Sequence, residues 1–231
     1  MPLTRWMRLL AWLCALVPGL FVSPAAVAIE EPAYSVARTD GAIELRQYRP
    51  FIVAETLVDG ELDAASSVGF RRIAAYIFGA NTAVRPSAAA AGEKIDMTAP
   101  VTVSPASTPS EKIAMTAPVT TAPQGVEAGA MSESGRWRVH FVMPAAYTMA
   151  TLPRPNDPSV SLREVPGKQV AVLRFSGFAG TQKVQREAAV LLQWMRAQGL
   201  KPTGPAQLAR YDPPWTLPFM RRNEVMIEAS E

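Results

Sequence analysis

Residues 45–48 read Leu-Arg-Gln-Tyr, and 117 positions later residues 162–165 read Leu-Arg-Glu-Val. At the same offset of 117, the pair Val53-Ala54 is repeated as Val170-Ala171. Turn-forming residues interrupt both stretches, at Arg49-Pro50 and at Pro166-Gly167. Each stretch therefore predicts two strands joined by a tight turn. This repetition predicts two structurally equivalent halves and decides the fold class.

An amphipathic helix is predicted after each strand pair, at nearly the same offset. In the first helix the apolar spacing i, i+3, i+4, i+7 is met by Phe70, Ile73, Ala74 and Ile77. In the second helix the apolar stripe consists of Val184, Ala188, Leu191, Leu192 and Met195. Asp63 and Thr181 are the candidate N-caps, and Gly79 and Gly199 are the candidate stops.

Further strands are predicted after each helix. The segment 136–143 follows the first helix, and the segments 207–211 and 223–228 follow the second. Two halves of this kind would pack into one α+β domain. The alternative, a chance similarity between two amphipathic segments, does not account for the shared helix position and strand pattern.

A shorter duplication lies between the first helix and segment 136–143. Residues 93–102 read Glu-Lys-Ile-Asp-Met-Thr-Ala-Pro-Val-Thr, and residues 111–120 differ from them only by Ala114 in place of Asp96. Apolar and polar residues alternate in each copy, which is typical of a half-buried strand. The copies are therefore predicted to form a hairpin-like pair that presents Met97 and Met115 on an apolar face.

The first 28 residues have the pattern of a secretory signal peptide. Arg5 and Arg8 precede an apolar run at 9–22, and Ala26-Val27-Ala28 forms a cleavage site. A transmembrane anchor would need about 20 apolar residues, and this run is shorter and contains Pro18 and Gly19. We therefore expect a periplasmic or secreted protein whose single mature domain covers residues 29–231, with no stable membrane insertion after cleavage.

Removal of the signal peptide changes the composition. The 231-residue chain has a formal charge of +3, which falls to +1 in the mature 203 residues because two arginines are lost. No block of basic residues stands out, so neither nucleic acid nor an anionic membrane is an expected partner, and the sequence does not identify a protein partner. The only cysteine, Cys14, lies in the signal segment, which excludes disulfides and covalent c-type haem attachment in the mature chain. His140 is the only histidine.

Three motifs carry a family resemblance. They are the repeated Met-Thr-Ala-Pro-Val, the proline-rich stretch 143–158, and the tail 213–225, which reads Pro-Pro-Trp-Thr-Leu-Pro-Phe-Met-Arg-Arg-Asn-Glu-Val. With these motifs the chain resembles the SOUL haem-binding family over about residues 31–228. The resemblance implies a distorted antiparallel barrel of two sheets with two helices. It also implies non-covalent binding of haem or another tetrapyrrole, without an agreed axial ligand.

His140 is the candidate ligand for a haem iron. In segment 136–143, Trp137, Val139, Phe141 and Met143 share the apolar face, and Arg138 and His140 lie on the other. His140 is therefore either a surface residue or part of a second, ligand-facing surface. On such a surface it could ligate iron, and Arg138 could bind a propionate.

The remaining candidates are apolar or basic residues near the first helix and the repeat. We expect an apolar cleft there, in which Phe70, Ile77, Met97 and Met115 contact the macrocycle and Arg71 lies at the propionate rim. Ordinary core packing for the methionines and solvation for Arg71 are the alternatives. For Arg221 and Arg222 in the tail, pairing with Glu224 or with the backbone competes with ligand contact.

Two other functional classes stay open at the sequence level. One is a hydrolase that uses a carboxylate such as Glu55, although no nucleophile motif accompanies it. The other is an interaction module that docks a partner through the rigid loop around Trp215. The absence of catalytic motifs favours binding, for transport, buffering or sequestration of a tetrapyrrole.

Overall fold

The computed structural model describes residues 30–84, 92–105, 129, 131, 134–213 and 215–231. The first strands are β1 (Tyr34–Asp40), β2 (Ile43–Tyr48) and β3 (Phe51–Glu61), and helix α1 (Leu62–Ile77) follows directly. Next come β4 (Asn81–Thr82), β5 (Val101–Pro105), β6 (Ser134–Val142), β7 (Arg154–Pro155), β8 (Val160–Val165) and β9 (Lys168–Phe175). Helix α2 (Thr181–Ala197) precedes β10 (Lys201–Pro202), β11 (Gln207–Arg210), a 3-10 turn (Pro218–Met220) and β12 (Asn223–Ser230). The α+β class predicted from the sequence is confirmed.

The main sheet is antiparallel and has internal two-fold symmetry. Its strand order is β1-β2-β9-β12-β11-β5-β6-β3-β8, and β10 pairs with β12. The symmetry axis passes between β11 and β5, so β12 corresponds to β6, β9 to β3 and β2 to β8. The register repeats as well: Arg46 is opposite Val170, and Arg163 is opposite Val53. Both members of each pair are 117 residues from their counterparts, which confirms the predicted pseudo-symmetric halves.

Two short turns bend the sheet. Residues 49–50 join β2 to β3, and residues 166–167 join β8 to β9, yet each turn connects strands from opposite ends of the strand order. The two strands joined by a turn do not pair with each other. Instead, β2 pairs with β9 and β3 pairs with β8 of the other half. These covalent links hold the sheet ends close together, so the sheet is strongly curved. In the part of the chain that the structure describes, no pairing joins β1 to β8 to close it.

The helices begin and end close to the predicted positions, but the predicted N-caps are wrong. The N-cap of α1 is Glu61, because β3 runs directly into the helix, and Asp63 lies in the first turn. Gly180 precedes α2, so Thr181 is already helical. The predicted stops are confirmed: Gly79 and Gly199 follow the helix ends with positive φ angles of 113° and 73°, which glycine adopts readily.

The core lies between the helices and one face of the sheet. Helix α1 packs on β3 and β6, and helix α2 packs on β9 and β12. The apolar face predicted for segment 136–143 is confirmed, since Trp137, Val139, Phe141 and Met143 are all buried. Gly69 lets α1 approach β6 closely, because a Cβ atom there would lie 2.5 Å from a methyl carbon of Val139.

The strand predicted for the first copy of the repeat is wrong over residues 93–100. That segment has no ladder pairing. Its Ile95 N–H donates to the carbonyl of Ile77 at the end of α1, and its Ala99 N–H donates to the Glu30 carbonyl. The alternation fails too, because the Thr98 hydroxyl donates to the Val142 carbonyl and is buried, and Met97 is 37% exposed. Strand β5 starts at Val101 and has β6 and β11 on its two edges. The second copy, including Met115, and the predicted signal peptide lie outside the described residues.

Candidate functional site

An open cleft lies at the corner where the two short turns meet. Its volume is about 710 Å³. Four segments form it: the N-terminal residues 30–33, the turn at 49–52, the crossover 142–148 and the turn at 164–166. The apolar lining consists of Pro32, Ala33, Pro50, Phe51, Ile52, Val142, Met143, Pro144, Ala145, Val165 and Pro166.

Hydrogen bonds fix the crossover against the sheet. Met143 N–H donates to the Ile52 carbonyl (2.8 Å), and Tyr147 N–H donates to the Pro144 carbonyl (3.0 Å). The Tyr147 hydroxyl bonds to the Glu93 carboxylate at 2.9 Å, and Ala145 N–H donates to the Glu30 carboxylate at 2.8 Å. Prolines restrict φ along the same stretch. The crossover therefore forms a defined wall of the cleft.

The mouth of the cleft is acidic. Glu30, Glu31 and Glu164 line it together with one described cation, Arg49. Glu31 is neutralised by Arg222, whose guanidinium lies 2.7 Å away. The remaining carboxylates disfavour an anionic ligand group at the mouth except beside Arg49.

A small polar pocket adjoins the cleft on its inner side. Its volume is about 30 Å³, enough for about one water molecule. Pro32, Phe51 and Val142 line both cavities. The polar residues that line the small pocket are Tyr48, Thr102, His140, Lys168 and Gln207.

His140 is the unusual residue of this small pocket. It lies on β6 between Glu55 of β3 and Thr102 of β5. Burial, together with the charges of Lys168, Arg163 and Arg138, lowers the pKa of His140 to about 3, and burial is the largest of these causes. Its Nδ1 atom is covered and has no hydrogen-bond partner among the described residues. His140 is therefore a neutral imidazole at physiological pH, the form that can ligate a metal.

The charges around His140 are largely paired. Glu55 accepts from Arg163 at 2.7 Å and lies 3.8 Å from Arg138 Nε. Lys168 is paired with Glu228. Arg138 Nε is buried without a hydrogen bond from the described residues, so this cluster retains one polar group that is not fully satisfied.

A second buried charge cluster lies in the other half. Arg46 makes two hydrogen bonds to Glu224, of 2.9 and 3.0 Å, and the Tyr211 hydroxyl donates to the same carboxylate at 2.6 Å. Arg222 also bonds to Glu224, at 2.9 Å. Burial alone would raise the pKa of Glu224, but the hydrogen bonds and charge of Arg46 outweigh it, and the pKa is lowered. The alternative that Arg222 pairs with Glu224 is thus confirmed, and Arg221 Nε bonds to the Thr216 carbonyl at 2.7 Å.

The structure does not bring all of the predicted ligand residues together. Phe70, on α1, is exposed and packs its ring 5.4 Å from Phe141, Arg71 is exposed, and Ile77 belongs to the core. This cleft does not lie at the expected position near α1 and the repeat, since Thr98 is the one described residue of the repeat that lines it. Arg138 and His140 do share the face away from the helices, as predicted. The turns, the N-terminal segment and Phe51 were missed, because their proximity depends on strand pairing between distant segments.

Comparison with known proteins identifies relatives of the whole fold. A family model described as SOUL heme-binding protein matches residues 29–111 and again 106–228. The crystal structure of the EcmrR C-terminal domain is similar with a TM-score of 0.52 and 11% identity, covering 86% of this chain and 98% of that one. The crystal structure of a hydrolase from Listeria innocua is similar with a TM-score of 0.50 and 11% identity, covering 84% and 94%. At this identity the two structures support the fold alone. No curated protein gave a significant match.

Proposed function

Since this chain belongs to the SOUL haem-binding family, we propose that it binds haem or another tetrapyrrole non-covalently and reversibly in the corner cleft. The observation that carries the proposal is the cleft itself. Its volume of about 710 Å³ lies within the range of about 300–1,000 Å³ that is usual for small-molecule sites. The family is one of binding proteins, which favours binding over catalysis for this cleft.

The lining suits a flat apolar ligand. Phe51, Val142, Met143 and Val165 offer aromatic, branched and thioether surfaces to a macrocycle, and the proline-rich rim holds its shape at low entropic cost. Arg49 is the lining cation at which we expect a propionate. Covalent attachment is not expected, because Cys14 is the only cysteine of the chain.

For a haem iron, we propose His140 as the axial ligand. Its neutral ring and its covered, unpaired Nδ1 are the supporting observations. The adjoining pocket of about 30 Å³ is too small for a macrocycle. Ligation therefore requires the shared wall, Phe51 and Val142, to shift when haem enters.

We further propose export followed by transport, buffering or sequestration of the ligand. The support is the signal-peptide pattern of residues 1–28. Among the described residues, neither helix is long and apolar enough to span a bilayer. N-terminal sequencing of the exported protein should start near Ile29, and retention of Met1 would contradict the cleavage.

Titration of residues 29–231 with hemin tests the binding proposal. We expect a Soret shift that saturates near one equivalent. Ala145→Trp places a large side chain in the cleft from an exposed position, so hemin affinity should fall at least about tenfold. Ala189→Trp, at an exposed position on α2 and away from the cleft lining, is the matched control and should bind like the unmodified chain.

The results test the cleft as the binding site separately from His140 as the iron ligand. Unsaturable binding, or equal affinity for both tryptophan variants, would refute the cleft as the site. His140→Ala should retain hemin but change the Soret position, and an unchanged spectrum would remove His140 as the iron ligand without removing the cleft.

A further inference from the structure

An exposed aromatic surface lies where the loop before α2 meets the loop before β12. The aromatic patch, as we call it, consists of five side chains with the following exposed fractions: Trp215 83%, Phe219 73%, Phe178 69%, Met220 64% and Leu217 55%. Large apolar side chains gathered in this way on a soluble surface mark a site of contact with a protein or a membrane. None of the five lines the cleft or the small pocket.

The patch is held in one conformation. Gly177 N–H donates to the Pro218 carbonyl at 2.8 Å, which fastens the loop of Phe178 to the loop of Phe219. Asn223 donates back to the Gly177 carbonyl at 3.0 Å, and Arg222 N–H donates to the Asp212 carboxylate at 2.6 Å. The side chains are thus displayed by a rigid base, so little entropy is lost when they are buried by a partner.

Cations border the patch. The Arg221 guanidinium lies 5.3 Å from the Phe178 ring, and the Lys183 ammonium lies 5.1 Å from the Phe175 ring. The loop 176–180 has no acidic residue and the loop 211–222 has one, Asp212, so the two cations Arg221 and Lys183 outnumber it. The surface therefore combines exposed aromatic rings with an excess of positive charge.

We infer that the aromatic patch docks this protein on the surface of an anionic lipid bilayer. Trp and other amphipathic aromatic side chains prefer the headgroup level of a membrane, and Lys or Arg beside them attract anionic lipids. A lipid bilayer is deformable, so the side chains of the patch can enter it without a groove of matching shape. Arg222, which follows the patch in sequence, binds Glu31 of the cleft lining at 2.7 Å. The inference does not depend on the identity of the ligand in the cleft.

Vesicle co-sedimentation of residues 29–231 tests it. Vesicles of equal parts phosphatidylglycerol and phosphatidylcholine should retain the protein at low salt, and pure phosphatidylcholine should retain much less. The double variant Trp215→Ala/Phe219→Ala should lower the partition coefficient at least about tenfold, because both side chains are free of core contacts. Lys183→Gln should lower it about fivefold. Phe78→Ala removes an aromatic ring of similar exposure (59%) at the end of α1 and is the matched control.

Tryptophan fluorescence gives an independent readout. Of the three tryptophans after residue 28, Trp137 and Trp194 are buried, so a blue shift on vesicle binding should come from Trp215. Trp215→Phe should keep most of the binding and lose the shift. No retention by anionic vesicles, or equal retention of the double variant, would overturn the inference. A dimer that dissociates on the double substitution, without vesicle binding, would assign the patch to a second copy and overturn it equally.

Discussion

His140 should make this protein lose stability under mildly acidic conditions. In the folded chain the pKa of His140 is lowered to about 3, and in the unfolded chain it returns to about 6.5. Between these values the unfolded state binds a proton that the folded state does not. Stability contributed by the neutral ring is therefore fully present above pH 6.5 and is lost as the pH falls towards 3.

The size of the loss follows from the two pKa values. At pH 5, which is 1.5 pH units below the unfolded value, the cost is about 2 kcal/mol at about 1.36 kcal/mol for each unit. This figure holds as long as the folded pKa is below about 4, so it does not require complete enclosure of the ring. The groups that face His140 are Arg138, Glu55, Arg163 and Lys168. The cations oppose protonation, and Glu55 is held by Arg163.

Urea unfolding at pH 7.5 and at pH 5.0 measures the effect. His140→Gln removes the titrating group, so the unmodified chain should lose about 2 kcal/mol more than this variant between the two pH values. Because His140 is the only histidine of the chain, no other imidazole contributes to this difference. An equal loss in both proteins would show that the folded state accepts the proton, and the argument for a neutral ring would fail.

Two further predictions concern packing and buried charge. Glu224→Gln leaves Arg46 and Arg222 without their shared carboxylate, and we expect about 3–5 kcal/mol of lost stability in urea unfolding. The control is Glu44→Gln, at the half-exposed partner of Arg46, which should cost less than about 1 kcal/mol. Equal losses in the two variants would refute the special role of Glu224. Gly69→Ala places a Cβ atom 2.5 Å from Val139, so about 1–3 kcal/mol should be lost in spite of the better helix propensity of alanine; a more stable variant would show that α1 can move away from β6.

The equivalence of the two halves could be predicted from the sequence, because the same strand and helix patterns recur 117 residues apart. The 117-residue offset places Arg46 and Arg163 in equivalent pairs, and the strand alternation at 136–143 identifies the buried face. For residues 93–100 the same kind of alternation gave a wrong prediction of a strand. They alternate in sequence, but their backbone groups bond to Glu30 and to the end of α1 rather than to a neighbouring strand.

The cleft and the buried pair could not be predicted, because both join segments that are distant in sequence. Arg46 and Glu224 are 178 positions apart, and the cleft is built from two turns, a crossover and the N-terminal segment. No periodic pattern within a short stretch of sequence indicates that such distant segments lie close together in the fold. The tail motif did contain a signal, since Arg222 and Glu224 lie two positions apart and can pair, and charges that become buried need such a partner.

The two-fold symmetry relates two charge clusters that differ in their exposure to solvent. Arg46 and Arg163 are equivalent, but Arg46 is 3% exposed and the Arg163 side chain 42%. Glu224 of β12 is opposite Arg174 of β9. The equivalent of Arg174, 117 residues earlier, is Leu57 of β3, and it is opposite Arg138 of β6. Arg138 is therefore the equivalent of Glu224. The position that holds the carboxylate in one half therefore holds a cation in the other.

This inversion of charge determines the surroundings of His140. By the same register, His140 takes the place of Met226, and Glu55 takes the place of Val172. In the half that contains Glu224, Arg46 contacts this carboxylate directly. In the other half, Arg163 would face Arg138 as a like charge, so Glu55 is needed between them, and Arg138 keeps a buried Nε without a hydrogen bond among the described residues. Three exchanged side chains thus give the two halves different charge clusters, while the backbone register of both halves stays the same.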